Sequence, residues 1–136
     1  MLNRIVETCL YAKNLHEIKP FYSKILGLKS VMEEPGRHIF FKCGDGMLLI
    51  FNPERTSSEQ SEVNGNPVPL HGTKGAGHVA FSVDENEFET VKNNLLEAGV
   101  QIESEIEWPN NSRSFYFRDP AYNSLEIVTG GLWNFG

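Results

Sequence analysis

The chain repeats itself, and that repeat limits its folds more than any other feature. The segment 5-IVETCLYAKNLHEIKPFYSKILGLKS-30 and the segment 77-GHVAFSVDENEFETVKNNLLEAGVQI-102 follow one plan. Each opens on a strand-like run and turns through polar residues, 13-KNLHE in one and 84-DENEFE in the other. Each then places apolar residues at helical spacing: Ile18, Phe21, Tyr22, Ile25 and Leu26 in the first, Phe88, Val91, Leu95 and Leu96 in the second. Each predicted helix stops at a glycine, Gly27 or Gly99, a residue suited to a left-handed cap. The likeness resumes in 39-IFFKCGDGMLLIF-51 and 115-FYFRDPAYNSLEIV-128, each a strand, a Gly/Pro/Asp turn and a second strand. The two halves are offset by about 71 to 77 residues.

One βαβββ unit makes a curved sheet with a helix on one face, and its other face needs a partner. The expectation is therefore an α+β fold: two tandem βαβββ modules forming an incomplete barrel around a central cavity, in a single domain over residues 1–136. Module one covers about 1–53 and module two about 76–130. Between them 53-PERTSSEQSEVNGNPVPLHGTKGAG-77 is rich in Ser, Asn, Gly and Pro and reads as a linker or lid over 54–75. The tail 131–136 carries Leu132, Trp133 and Phe135 without a pattern, and these are expected to pack on the rim of this chain or on a second subunit.

A formal charge of −6, from 12 basic and 18 acidic residues, argues against nucleic acid or an anionic membrane as the main partner. No apolar run approaches the roughly 18 residues of a membrane span, and the N-terminus MLNRIVET lacks the apolar core of a signal peptide. Cys9 and Cys43 offer neither a disulfide framework nor metal spacing and read as buried thiols. The expected location is cytoplasmic.

Three ionisable residues interrupt apolar strands. Glu7 lies in 5-IVETCLYA-12, His78 in 78-HVAFSV-83 and Glu126 in 124-SLEIVTGG-131. By the internal alignment Glu7 and His78 are counterparts, and the counterpart of Glu126 is Leu49. Buried alone, each ionised group is costly, and two carboxylates held together repel. A divalent cation resolves both problems, with two carboxylates for charge and an imidazole for a neutral nitrogen. Three protein ligands leave positions open for substrate, as in catalytic rather than structural sites. Glu7, His78 and Glu126 are thus the candidate metal ligands, and Glu7 and Glu126 also the candidate acid–base groups. His71, on the linker, is a candidate fourth ligand or lid contact. Trp108, Arg113 and Phe115, in 105-EIEWPNNSRSFYF-117, together with Leu49, are candidate substrate contacts. His16 and His38 read as surface or structural, and Arg118 and Asp119 as turn residues.

Taken together, 7-ETCLYAKNLHEIKPFYSKILGLKS-30, 78-HVAFSVDE-85 and 115-FYFRDPAYNSLEIV-128 resemble the vicinal oxygen chelate superfamily, which includes glyoxalase I, fosfomycin-resistance and bleomycin-resistance proteins and extradiol dioxygenases. The resemblance covers nearly the whole chain. It implies a homodimer and a small-molecule substrate, with ligands at positions 7, 49, 78 and 126. Leu49 departs from it, standing where glyoxalase-type members carry a carboxylate. One imidazole and two carboxylates form a harder set than the iron triad, suited to Mn, Mg, Ni, Zn or Ca ahead of Fe. The resemblance implies a glyoxalase-like lyase, isomerase or conjugating transferase. The alternatives are an Fe(II) extradiol-type dioxygenase and a metal-free binding protein of the bleomycin-resistance type.

Overall fold

In the first half, alternation sets the sheet. Residues of β1 (Glu7–Tyr11) point in turn to an open face and to a covered one: Glu7 and Cys9 are exposed, while Leu10 is buried. After it, Asn14 caps α1 (Leu15–Pro20), its side chain accepting from the His16 N–H. Pro20 has no N–H to donate, and the helix continues as a wider π-type turn over Phe21–Ile25. Gly27, at φ 74, lets the chain reverse, and the Leu28 N–H closes on the Tyr22 carbonyl at 2.9 Å. The buried stripe of this helix, Ile18, Phe21 and Tyr22, covers Phe41 and Ile50, and the Tyr22 and Phe41 rings lie 5.3 Å apart. Each fully buried side chain of this size contributes about 1.5–3 kcal/mol.

Three strands follow: β2 (Lys29–Glu34), β3 (His38–Cys43) and β4 (Gly46–Phe51). The sheet order is β1-β4-β3-β2, with β1 parallel to β4 and the other pairs antiparallel. The second half repeats it. Strand β7 (His78–Val83) leads through one 3₁₀ turn at Glu85–Glu87 into α3 (Phe88–Glu97), then β8 (Ser104–Glu107), β9 (Arg113–Arg118) and β10 (Ser124–Thr129). Its order is β7-β10-β9-β8, with the same parallel closing pair. Phe88, Leu95, Phe115, Phe117 and Leu125 form its core under α3. Gly99, at φ 84, ends α3 as Gly27 ends the first helix.

The registers make the halves equivalent. Glu7 pairs with Met47 and Cys9 with Leu49, as His78 pairs with Ser124 and Ala80 with Glu126. So Glu7 answers to His78, and Leu49 to Glu126, as the alignment predicts.

The 54–75 linker carries structure of its own, and one expectation needs correction. Pro53–Thr56 forms α2, capped by Asn52, and β5 (Glu62–Val63) pairs with β6 (Asn66–Pro67) about Asn64 and Gly65, both at positive φ. The Arg55 and Arg37 side chains reach Glu59 and Glu34 and fasten its first turn to the β2–β3 connection. The cysteines are not buried. Cys9 is exposed and Cys43 half-exposed, because Cys9 shares the open face of β1 with Glu7.

The structure, a computed structural model, describes residues 1–133, and Phe135 lies outside them. It forms two compact units, Met1–Gly75 and Ala76–Gly136, with the 54–75 segment belonging to the first. Among the described residues no helix is long and apolar enough to cross a membrane.

Candidate metal centre

Parallel pairing of β7 with β10 brings His78 to Glu126. The His78 Nε2 lies 3.3 Å from Glu126 Oε1, and its Nδ1 lies 2.9 Å from the Ser124 carbonyl oxygen. A carbonyl oxygen only accepts, so Nδ1 carries the hydrogen and donates it. In the neutral ring Nε2 is then the bare nitrogen, the form in which histidine binds a metal. In that form two lone-pair-bearing atoms face each other at 3.3 Å, an arrangement that a cation between them would satisfy. The imidazole is about half exposed while Glu126 is buried.

The other carboxylate oxygen is engaged from behind. Ser114 Oγ donates to Glu126 Oε2 at 2.6 Å and accepts from the Trp108 indole N–H at 2.9 Å. Tyr116, opposite Glu126 in the β9–β10 ladder, stacks beside His78 with ring centroids 6.3 Å apart. Burial, then the neighbouring Glu126 carboxylate, pushes its phenol above the ordinary tyrosine range, so Tyr116 is held as an O–H donor. Ser114 and Tyr116 are absent from the sequence-level candidates, although alternation along β9 puts both on Glu126's side of the sheet. Asn123 is also absent from them. It is buried and links Asp119 to Gly77, just before His78.

The first unit carries Glu7, His71 and Leu49. Glu7 is exposed on β1. Among the described residues, no group of three or more His, Cys, Asp or Glu is placed to hold a metal, so the second module alone presents a two-ligand site. His71 is bound within the first unit: its Nδ1 lies 2.7 Å from the Tyr11 hydroxyl, and its ring meets Phe51 edge-on at 4.6 Å. Leu49 is buried, paired with Cys9 and Phe40. His38 stacks on Phe40 at 4.2 Å and leaves its Nδ1 buried without a hydrogen-bond partner. Tyr11, His38, Phe40 and His71 thus surround the Phe51 ring.

Arg113 and Phe115 are engaged within the second unit. The Arg113 guanidinium binds Glu85 at 2.9 Å and Glu89 at 3.0 Å and lies 4.3 Å over the Phe88 ring, on the helix-covered side. Phe115 is fully buried against Phe88. Both alternate with Ser114 and so point away from Glu126's side of the sheet.

A repeated βαβββ unit with an imidazole and a carboxylate converging on the open face of its second sheet defines a class: modular proteins that build a ligand or metal site from repeat-related strands. The family model described as Glyoxalase/Bleomycin resistance protein/Dioxygenase superfamily matches residues 4–127, and the chain belongs to that superfamily. Among characterised relatives, it is 28% identical to the glutathione transferase FosA of Serratia marcescens over 97% of this chain and 84% of that one. It is 39% identical to the metallothiol transferase FosB of Shouchella clausii, over only 40% of this chain and 39% of that protein. Among solved structures, the lactoylglutathione lyase of Agrobacterium tumefaciens superposes with a TM-score of 0.90, at 41% identity and 98% coverage of both chains.

Proposed function

We propose that this chain is a divalent-metal-dependent enzyme, a conjugating transferase or lyase, that acts on a small oxygen-bearing substrate together with a low-molecular-weight thiol. The observation that carries the reading is the Nε2 of His78 facing the Oε1 of buried Glu126 at 3.3 Å, with Nδ1 2.9 Å from a carbonyl oxygen. His78 and Glu126 would hold the cation. Glu7 of a first module, from the same chain or from a second copy in a homodimer, is the third ligand. The thiol rests on the relatives, since the Serratia and Agrobacterium proteins both carry glutathione in their names.

A bound divalent cation supplies Lewis acidity, stabilising negative charge that develops on a substrate oxygen. The rest falls to the chain's own groups. Ser114 holds Glu126 in one orientation. Tyr116 keeps its proton and donates toward Glu126, a hydrogen bond for which a substrate oxygen lying over the sheet would compete. Leu49 puts an aliphatic wall where the counterpart of Glu126 would stand, so the first module offers no carboxylate at that position. An isomerisation needs a base that takes a proton from carbon. Addition of a thiolate to an electrophile needs none, and conjugation is the reaction these residues favour.

The test is elemental analysis of protein purified without a histidine tag, then calorimetric titration of chelator-treated protein with Mn²⁺, Ni²⁺ and Zn²⁺. The expected result is about one ion per site, lost in His78→Ala and Glu126→Gln, together with metal-dependent consumption of glutathione in the presence of epoxides or 2-oxoaldehydes. A wild-type protein that binds none of these ions overturns the reading in favour of metal-free ligand binding. Oxygen uptake with catechols after Fe(II) loading overturns it in favour of a dioxygenase.

A further inference from the structure

We infer that Trp108 is a positioning residue for Glu126, acting through Ser114, so that an indole on the β8–β9 turn sets the metal affinity of the site. The inference rests on the metal reading above. Ser114 is fully buried and its hydroxyl is engaged on both sides: its one hydrogen goes to Glu126 Oε2 at 2.6 Å, and one lone pair of its oxygen accepts the Trp108 indole N–H at 2.9 Å. The oxygen that faces His78 is the other one, Oε1. A carboxylate can rotate and exchange its oxygens. With Oε2 pinned, Oε1 is presented toward Nε2. The indole N–H, by donating to Ser114, orients the hydroxyl hydrogen toward Glu126 and polarises it.

Trp108 is itself fixed. Its backbone N–H donates to the Ser112 carbonyl at 2.8 Å across a turn that includes Asn111 at φ 69. Asn110 and Ser112 in turn bind the carbonyls of Gly131, Leu132 and Gly130, beyond the end of β10. The first module provides an internal control. There the register positions of Ser114 and Glu126 are taken by His38 and Leu49, with Phe51 opposite His38 where Val128 stands opposite Ser114. Leucine needs no hydroxyl to orient it, and the Nδ1 of His38 is left without a partner. The relay occurs only where there is a carboxylate to aim.

Zn²⁺ alone is the probe, with its dissociation constant measured by calorimetry. Loss of a group one hydrogen bond removed from a metal typically costs 10–100-fold in affinity. Ser114→Ala is expected to weaken Zn²⁺ binding by about that factor, Trp108→Phe by less, and the double variant no more than Ser114→Ala alone. Ser114→Thr, which keeps the hydroxyl, restores most of the affinity. In a Trp133→Phe background Zn²⁺ shifts the Trp108 emission, and Ser114→Ala removes the shift; this measurement leaves Trp108 in place. Zn²⁺ affinities of Ser114→Ala and Trp108→Phe within twofold of a wild type that does bind, or fully additive losses, overturn the inference and leave the metal reading standing. A wild type that binds no Zn²⁺ overturns both.

Discussion

Asn123 should be the most sensitive polar residue of the second module. It is 1% exposed. Its Oδ1 accepts the Gly77 N–H at 2.8 Å, and its Nδ2 donates to Asp119 Oδ2 at 2.9 Å. The Gly77 carbonyl in turn accepts the Ser124 N–H at 2.9 Å. Asn123 therefore joins the starts of β7 and β10 and sets His78 opposite Ser124. Asn123→Ala strands the Gly77 N–H and removes the hydrogen bond to the Asp119 carboxyl group. At about 1–3 kcal/mol for each, the loss is about 3 kcal/mol. With about 2.1 cal/mol/K of unfolding entropy per residue near 60 °C, that lowers the Tm of this 136-residue chain by about 10 °C. Asn123→Asp keeps an acceptor for Gly77 but sets a second carboxylate against Asp119, and at neutral pH it is no rescue. Differential scanning calorimetry, with urea midpoints as a second measure, reads both variants. An alanine variant melting within about 2 °C of wild type refutes the claim that this bridge holds the two strand starts together.

Two further outcomes follow from the same geometry. Burial holds the His38 imidazole below its ordinary value of 6.5; Glu34 opposes that shift, and Arg37 and Arg55 add to it. The unfolded chain thus binds this proton more readily. Stability falls as pH drops below 6.5 and levels off once the folded-state value is passed. His38→Phe should flatten the change in urea midpoint between about pH 7.5 and about pH 5, and an unchanged slope refutes this assignment. Arg113→Ala should lower the unfolding midpoint, less so at high salt, and leave Zn²⁺ affinity and substrate KM unchanged. A raised KM with unaltered stability would return Arg113 to the substrate.

The repeat was legible because its signals are local. Helical spacing, the Gly27 and Gly99 stops and the two hairpin turns each need only a few neighbouring residues, and the registers then follow from strand alternation. The pairing of His78 with Glu126 was legible as well, since both break an apolar strand. What escaped was the long-range detail. The exposure of Cys9 depends on which face of β1 the helix covers. The approach of His71 to Tyr11 depends on how 54–75 folds back, although the Asn64-Gly65 turn inside that segment is an ordinary hairpin signal. The ion pairs of Arg113 were legible too. Its place one residue before Ser114 puts it across the sheet from Glu126, and Glu85 in the turn before α3 and Glu89 in its first turn were there to receive it.

The two modules show why a duplicated fold diverges in coordinated sets and not one residue at a time. At matched positions the first carries Glu7, His38, Phe40 and Leu49, and the second His78, Ser114, Tyr116 and Glu126. A buried carboxylate is stable only if its oxygens are bonded, so Glu126 requires Ser114, and Ser114, fully buried, is best satisfied by the Trp108 indole. Leu49 makes no such demand, and the positions around it are free to become aromatic. Placing a glutamate at position 49 would bury a charge among Phe40, Phe51 and His38, and the His38 ring, its Nδ1 unpartnered, stands where Ser114 stands in the second module. Converting the first module into a second carboxylate site would therefore require the His38 imidazole to give its hydrogen to the acid at 49, as Ser114 gives its own to Glu126.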